Sequence, residues 1–182
     1  MRIRDLSLDD MDEAQKRVAE EAASGKRGRM PAPLRAWIHS PELGERAQKL
    51  GEFLRYDTIL GPMLSELAIL LIARHWTSHY EWYIHKREAL KAGVSPDVVD
   101  AIAARKAAPI ADEKAEALRL YVTELLEKKI VSAETHMLAV DQLGEQGVVE
   151  LVGLLGYYTL VSMTLNAFEI MPPDGEPLEL DH

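Results

Sequence analysis

Four residues of this chain have the types and spacing for proton-transfer chemistry. Ser78, Glu81 and His85 are separated by three and then four positions, so on a helix a hydroxyl, a carboxylate and an imidazole project from one face. Glu66 stands twelve positions before Ser78, at the start of the apolar run Leu67–Ala73. An imidazole titrates near neutral pH, and a neighbouring carboxylate fixes its tautomer, which is the pairing general acid/base catalysis uses. The chain has no cysteine. Thiol nucleophiles, thiolate metal sites, disulfides and a peroxidatic thiol are therefore excluded.

Each of these residues also has a purely structural explanation. Ser78 followed by Glu81 matches a capping box, with the serine as helix cap and the glutamate as its reciprocal partner. Glu66 suits the first turn of a helix, where a carboxylate meets the positive end of the macrodipole. His85 suits a hydrogen-bonded position in a core or interface. No Gly-x-Ser-x-Gly elbow surrounds Ser78, so it reads as a cap before a nucleophile. His75 and His79 are four apart, but Thr77-Ser78 reads as a helix break between them and no third ligand is evident, so no metal is expected.

Around this group, Trp76, Tyr80, Trp82 and Tyr83 are candidates to line a pocket for a planar or unsaturated substrate, with core packing as the alternative. Arg55, Arg74 and Lys86-Arg87 are candidate carboxylate anchors, of which Arg74 is favoured. The expected substrate contacts are thus Ser78, Tyr80, Trp82 and Arg74. Asn166, inside a nearly uncharged stretch, needs hydrogen-bond partners and is expected to bridge neighbouring helices rather than face the pocket.

The elements that must position these groups read as helices throughout. A polar helix is expected over Met11–Ala23, a loop over Gly25–Pro33 and a short turn over Leu34–His39. Ser40-Pro41 and Ser95-Pro96 start helices with a cap followed by proline, running to about Leu54 and Ala104. Pro62 opens a helix over Met63 to about His75, with an apolar stripe of Leu64, Leu67, Ala68, Leu71 and Ile72. A new helix starts at Ser78 and stops near Gly93. Asp112–Lys128 is amphipathic through Ala115, Leu118, Tyr121, Val122 and Leu125. Ser132 caps a segment over 133–143, Gly144–Gly147 marks a turn, and Val148–Phe168 is too apolar all round to lie on a surface. The proline-rich acidic tail, MPPDGEPLELDH, reads as an extended or partly disordered arm. No strand-like alternation of useful length occurs, so the fold class is all-α.

The 182 residues suit one domain over 1–182, with an N-terminal helix and loop over 1–33, a helical core over 34–170 and the tail over 171–182. A net charge of −9 argues against nucleic-acid binding, and the Lys26-Arg27-x-Arg29 cluster reads as a solvated loop. The N-terminus lacks the apolar core of a secretory signal, and Leu67–Ala73 is too short to span a bilayer. A soluble cytoplasmic protein without a membrane partner is expected.

The pattern E-L-A-I-L-x-I-A … Y-E-W-x-x-H … A-x-x-A-G-V-S, here Glu66 to Ser95, resembles the carboxymuconolactone decarboxylase and alkylhydroperoxidase D superfamily. ETHMLAVDQLGEQGVVELVGLLGYYTLVSMTLNAF, over 134–168, is similar to that superfamily's second helical segment. The resemblance covers roughly 30–170 and implies an all-α AhpD-like fold assembled as a dimer, trimer or hexamer. Redox members carry Cys-x-x-Cys four positions before a histidine, with an upstream glutamate. By resemblance Ser78 and Glu81 take the cysteine positions, and His85 and Glu66 the other two. A serine and a carboxylate cannot cycle between dithiol and disulfide, so thiol-based peroxide reduction is not expected.

The decarboxylase branch instead carries Glu-x-x-x-His without cysteines, as in Glu81–His85, and its chemistry needs no metal or organic cofactor. The resemblance then implies His85 as general acid/base, Glu81 as its orienting or proton-relaying partner, and Glu66 as a second buried carboxylate. The expected activity is cofactor-free lyase or isomerase chemistry on a small unsaturated carboxylated acid or lactone, as in aromatic-compound breakdown. Decarboxylation, isomerisation and lactone opening remain open. The rivals are an alkylhydroperoxidase-like antioxidant protein and a non-catalytic helical small-molecule-binding protein.

Overall fold

Helix boundaries fall close to the capping signals. In the computed structural model, which describes residues 1–26 and 28–181, α-helices account for the regular structure apart from one 3₁₀ turn, and no strand occurs among the described residues. Helix α1 (Glu13–Ser24) is capped by Asp12, whose carboxylate accepts from the Gln15 backbone N–H. The short α2 (Leu34–Trp37) leads into α3 (Pro41–Tyr56), which has proline in its first turn. After α4 (Gly61–His75) and α5 (His79–Lys91) come α6 (Pro96–Ala103), capped by Ser95, and α7 (Glu113–Lys128), capped by Asp112. The last helix, α8 (Ala133–Ala167), is capped by Ser132 and breaks at Gly144, where φ is +74°. That break is the turn expected at Gly144–Gly147. Glycine is needed there because a Cβ disfavours the left-handed region.

Helix α4 is the axis of the molecule, packing against α3, α5, α6, α7 and α8. The predicted one-sided stripe on it is too narrow. Every residue from Leu64 to Leu70 is buried, and Ala68, Ile69 and Leu70 are wholly inaccessible. A helix surrounded by five others has no solvent face left to be polar. It also begins at Gly61 rather than Met63, so Glu66 lies beyond the first turn and the dipole explanation of that residue does not apply. Helix α7 buries Ala115, Leu118, Tyr121 and Val122 as its periodicity implies.

Of the described helices, α8 alone is long and apolar enough to cross a bilayer by length and composition. A core helix of a soluble protein passes the same test. Here 61% of its most apolar window is buried within the fold, against α3, α4 and α7, which matches that second role.

The C-terminal arm over 171–181 is extended but tied down. Leu180 is buried, Glu176 and Glu179 accept from Tyr83 and Trp82 of α5 at 3.1 and 3.2 Å, and Asp181 pairs with Arg74. Glu176, Glu179 and Asp181 therefore serve as partners for α4 and α5.

Candidate functional site

The break at Thr77-Ser78 folds α5 back against α4, and this brings Glu66 and His85 together. His85 Nδ1 lies 2.6 Å from Glu66 Oε2, a buried hydrogen bond between residues 19 positions apart. On the other side of the ring, His85 Nε2 lies 3.1 Å from Glu81 Oε2, one turn earlier on α5. That second contact is an ion pair rather than a directed hydrogen bond, so Glu81 Oε2 is buried with no donor aimed at it. Arg55, at the end of α3, approaches Glu66 Oε1 to 3.6 Å. Glu66, Glu81 and His85 are all nine-tenths or more buried.

Burial alone would drive the His85 imidazole to its neutral form. The carboxylates of Glu66 and Glu81 overcome that penalty and raise its pKa from 6.5 to about 9. The ring is therefore an imidazolium at neutral pH, not a group poised at neutrality as its type alone suggests. Burial likewise opposes charge on Arg55, but the acidic groups around it, Tyr158 and Glu66 first among them, hold the guanidinium above its ordinary value. Two cations and two carboxylates then form a locally neutral cluster, the condition under which buried charges persist.

A column of rings supports the cluster. The His85 ring meets Tyr158 edge-on at 5.2 Å, Tyr158 meets Tyr157 at 5.3 Å, and Tyr157 meets Trp37 of α2 at 6.2 Å. Trp37 is fixed in turn because its indole N–H donates to Thr164 Oγ1 at 2.9 Å. Beside this column lies a cavity of about 50 Å³, lined by Glu81, His85, Arg55, Tyr80, Tyr157 and Tyr158 and bordered by residues of the loop before α2, including Arg29 and Pro31. A larger pocket of about 320 Å³ opens on the opposite side of the network, bordered by Arg55, Glu66, Tyr56, Glu88 and Lys91. Arg55 is thus shared by both spaces.

The other expected contacts are scattered. Tyr80 lines the small cavity. Ser78 is fully buried, makes no side-chain cap bond and has no partner for its hydroxyl, so the capping box does not form. The reason is electrostatic: the Glu81 side chain turns to the imidazolium rather than back to the helix N-terminus. Trp82 points to the other side of α5, where its indole donates to Glu179. Arg74 is engaged by Asp181 and Thr77, away from the cavity. Asn166 donates to the Trp76 carbonyl at 2.8 Å and so bridges the end of α4 to α8. His75 closes α4 and His79 opens α5, on either side of the break. No cluster of three or more potential metal ligands occurs among the described residues.

Sequence reasoning named Arg55 only as one anchor among several and did not place Arg29, Tyr157 or Tyr158 at the site. The tyrosine pair carried a usable signal, since two adjacent phenols in an otherwise aliphatic helix mark a place where the core turns polar. Arg55 and Arg29 had none, because their approach depends on how separate elements pack. Compared with known protein families and with curated proteins, the chain matches no family model and no curated protein.

Proposed function

We propose that this chain is a cofactor-independent acid/base enzyme of the carboxymuconolactone decarboxylase type, acting in the cytoplasm on a small unsaturated carboxylated acid or lactone. The observation that carries this is the buried imidazolium of His85 held between Glu66 and Glu81, with Arg55 beside it. A charged imidazole fits a proton donor better than a base. In the decarboxylation, the bond from carbon to the substrate carboxylate breaks and its electron pair enters the conjugated system. Carbon dioxide departs, His85 Nε2 delivers its proton to the reacting carbon, and solvent returns a proton to the ring. Arg55 offers the positive charge that a developing dienolate needs. Glu81 is the residue a substrate displaces, because its contact with Nε2 is the less directed of the two. Glu66 stays in place as the positioning partner.

The small cavity holds only one or two waters, at about 30 Å³ each. A larger substrate reaches the network through the larger pocket at Arg55 and Glu66. That pocket also supports a second reading, in which the fold is kept as a non-catalytic small-molecule-binding protein. An alkylhydroperoxidase-like role is disfavoured by the absence of cysteine.

Assembly as a homo-oligomer, of AhpD-like fold, belongs to the same proposal. Leu50 and Phe53 on α3, and Val149, Val152, Leu160 and Met163 on the neighbouring α8, are apolar and exposed. A second copy of the chain is the occupant that would bury this face.

The test is turnover of a carboxylated unsaturated lactone, followed by carbon dioxide release and loss of ultraviolet absorbance, in the native chain and in His85→Gln and Glu66→Gln. Activity that falls by about a hundredfold or more in His85→Gln supports the proposal. Activity indifferent to that change sinks it, and saturable binding without turnover favours the binding protein.

A further inference from the structure

The turn that separates α4 from α5 gathers a second group of charges, independent of the His85 network. Thr77 sits there with φ +45°, in the left-handed region that non-glycine residues seldom occupy. Its hydroxyl accepts from two guanidiniums, Arg74 Nη1 and Arg105 Nη2, both at 3.3 Å. Arg105, just after α6, is itself left-handed with φ +54°. Two non-glycine residues thus hold unfavourable backbone conformations where two like charges converge on one neutral oxygen. Such an arrangement does not stabilise the isolated protein.

Arg74 and Arg105 border a cavity of about 340 Å³ between α4, α6 and α7. Its wall includes Arg74, His75, Arg105, Lys106 and Arg119. Arg119 is neutralised by Glu116 through two hydrogen bonds of 2.7 and 2.6 Å. Arg74 pairs with Asp181, but its Nε is buried with no acceptor, and the residue as a whole is 4% exposed. Arg105 and Lys106 meet no acidic partner among the described residues, in a chain whose net charge is −9. Glu127 also borders the cavity, acting on His75 against Lys129 and Arg105. The remaining wall is apolar, with Leu71, Ile102 and Val122 prominent.

We propose that this cavity binds a small molecule carrying a phosphate group on an apolar body. Arg105, Lys106 and the free edge of Arg74 take the phosphate. A dianion suits the site better than a carboxylate: Asp181 already supplies one carboxylate to Arg74, and the two cations left without acids match the roughly double charge of a phosphate monoester. The site lies eight residues along α4 from Glu66, about 12 Å at 1.5 Å per residue, so it is separate from the His85 cluster.

The experiment is isothermal titration of the full chain with phenyl phosphate, inorganic phosphate and benzoate at constant ionic strength, repeated on Arg105→Asn with Lys106→Ala. Both side chains are exposed, and asparagine tolerates the left-handed backbone at 105, so the variant should keep the native melting temperature. Saturable phenyl phosphate binding, tighter than benzoate and weakened about tenfold or more in the variant, supports the proposal. Equal binding of the two phosphates overturns the apolar body and leaves free phosphate as the ligand. Absence of saturable binding to either phosphate, preference for benzoate, or binding unchanged in the variant overturns it.

Discussion

If two carboxylates hold His85 protonated, the protein must lose stability as pH rises through the alkaline range. In the unfolded chain the imidazole titrates near 6.5, and in the folded chain near 9. Below pH 6.5 both states carry the proton, and the folded state's preference for imidazolium is fully present. Between 6.5 and 9 the unfolded chain releases its proton while the folded chain keeps it, so stability falls by about 1.4 kcal/mol per pH unit. Above 9 both are neutral and the contribution is gone. The whole displacement is worth about 3 kcal/mol, a large fraction of the 5–15 kcal/mol typical of a domain. The assay is urea unfolding followed by circular dichroism from pH 6 to 9.5, in the native chain and in His85→Gln. Other titrating groups, including His75 with its burial-lowered pKa, are common to both and cancel in the difference. Because removing one partner of a buried ion cluster can cost about 3–5 kcal/mol, His85→Gln combined with Glu81→Gln provides a second comparison that keeps Glu66 facing Arg55. A difference profile that is flat across this range would refute the charged-imidazole argument.

Other outcomes follow from the same geometry. If His85 acts as a proton donor, kcat/KM on a confirmed substrate, which reports the free enzyme, should hold through neutral pH and fall only near pH 9, and a kcat/KM profile declining near 6.5 would contradict that role. Gly144→Ala forces a side chain into φ +74° and should cost about 1–2 kcal/mol in urea unfolding, whereas the same change at the fully helical, unobstructed Gly156 should be neutral or stabilising. If the chain assembles through the exposed face of α3 and α8 as proposed, Val149→Glu with Met163→Glu should lower its mass to that of a monomer in light scattering without unfolding it, since both positions are exposed within the single chain. An unchanged mass would place the interface elsewhere.

Helix starts were legible wherever a local signal was sufficient. Ser95, Asp112 and Ser132 each accept a backbone N–H from the first turn, a bond that involves only neighbours in sequence. Gly144 was legible for the same reason, as was the break at Thr77-Ser78. The capping box at Ser78 had the right spacing yet failed, because Glu81 turns to His85, one turn on along the same helix, whose charge Glu66 supports from across the fold. The acidic tail is extended, as its prolines imply, but its anchoring comes from the fold, where α4 and α5 present Arg74, Trp82, Tyr83 and Lys86 to Glu176, Glu179 and Asp181.

The residue types alone determined that acid/base chemistry was available and thiol chemistry was not, and periodicity and caps determined an all-α chain. Tertiary structure decided the rest: that α5 folds back along α4 and sets Glu66 against His85, that Arg55 and the paired tyrosines of α8 enclose them, and that the imidazole is held charged. Hydrogen bonds within a helical turn are written in adjacent residues. A pKa is set by the field of every charge packed nearby and by the loss of water, and those neighbours come from helices distant in the sequence.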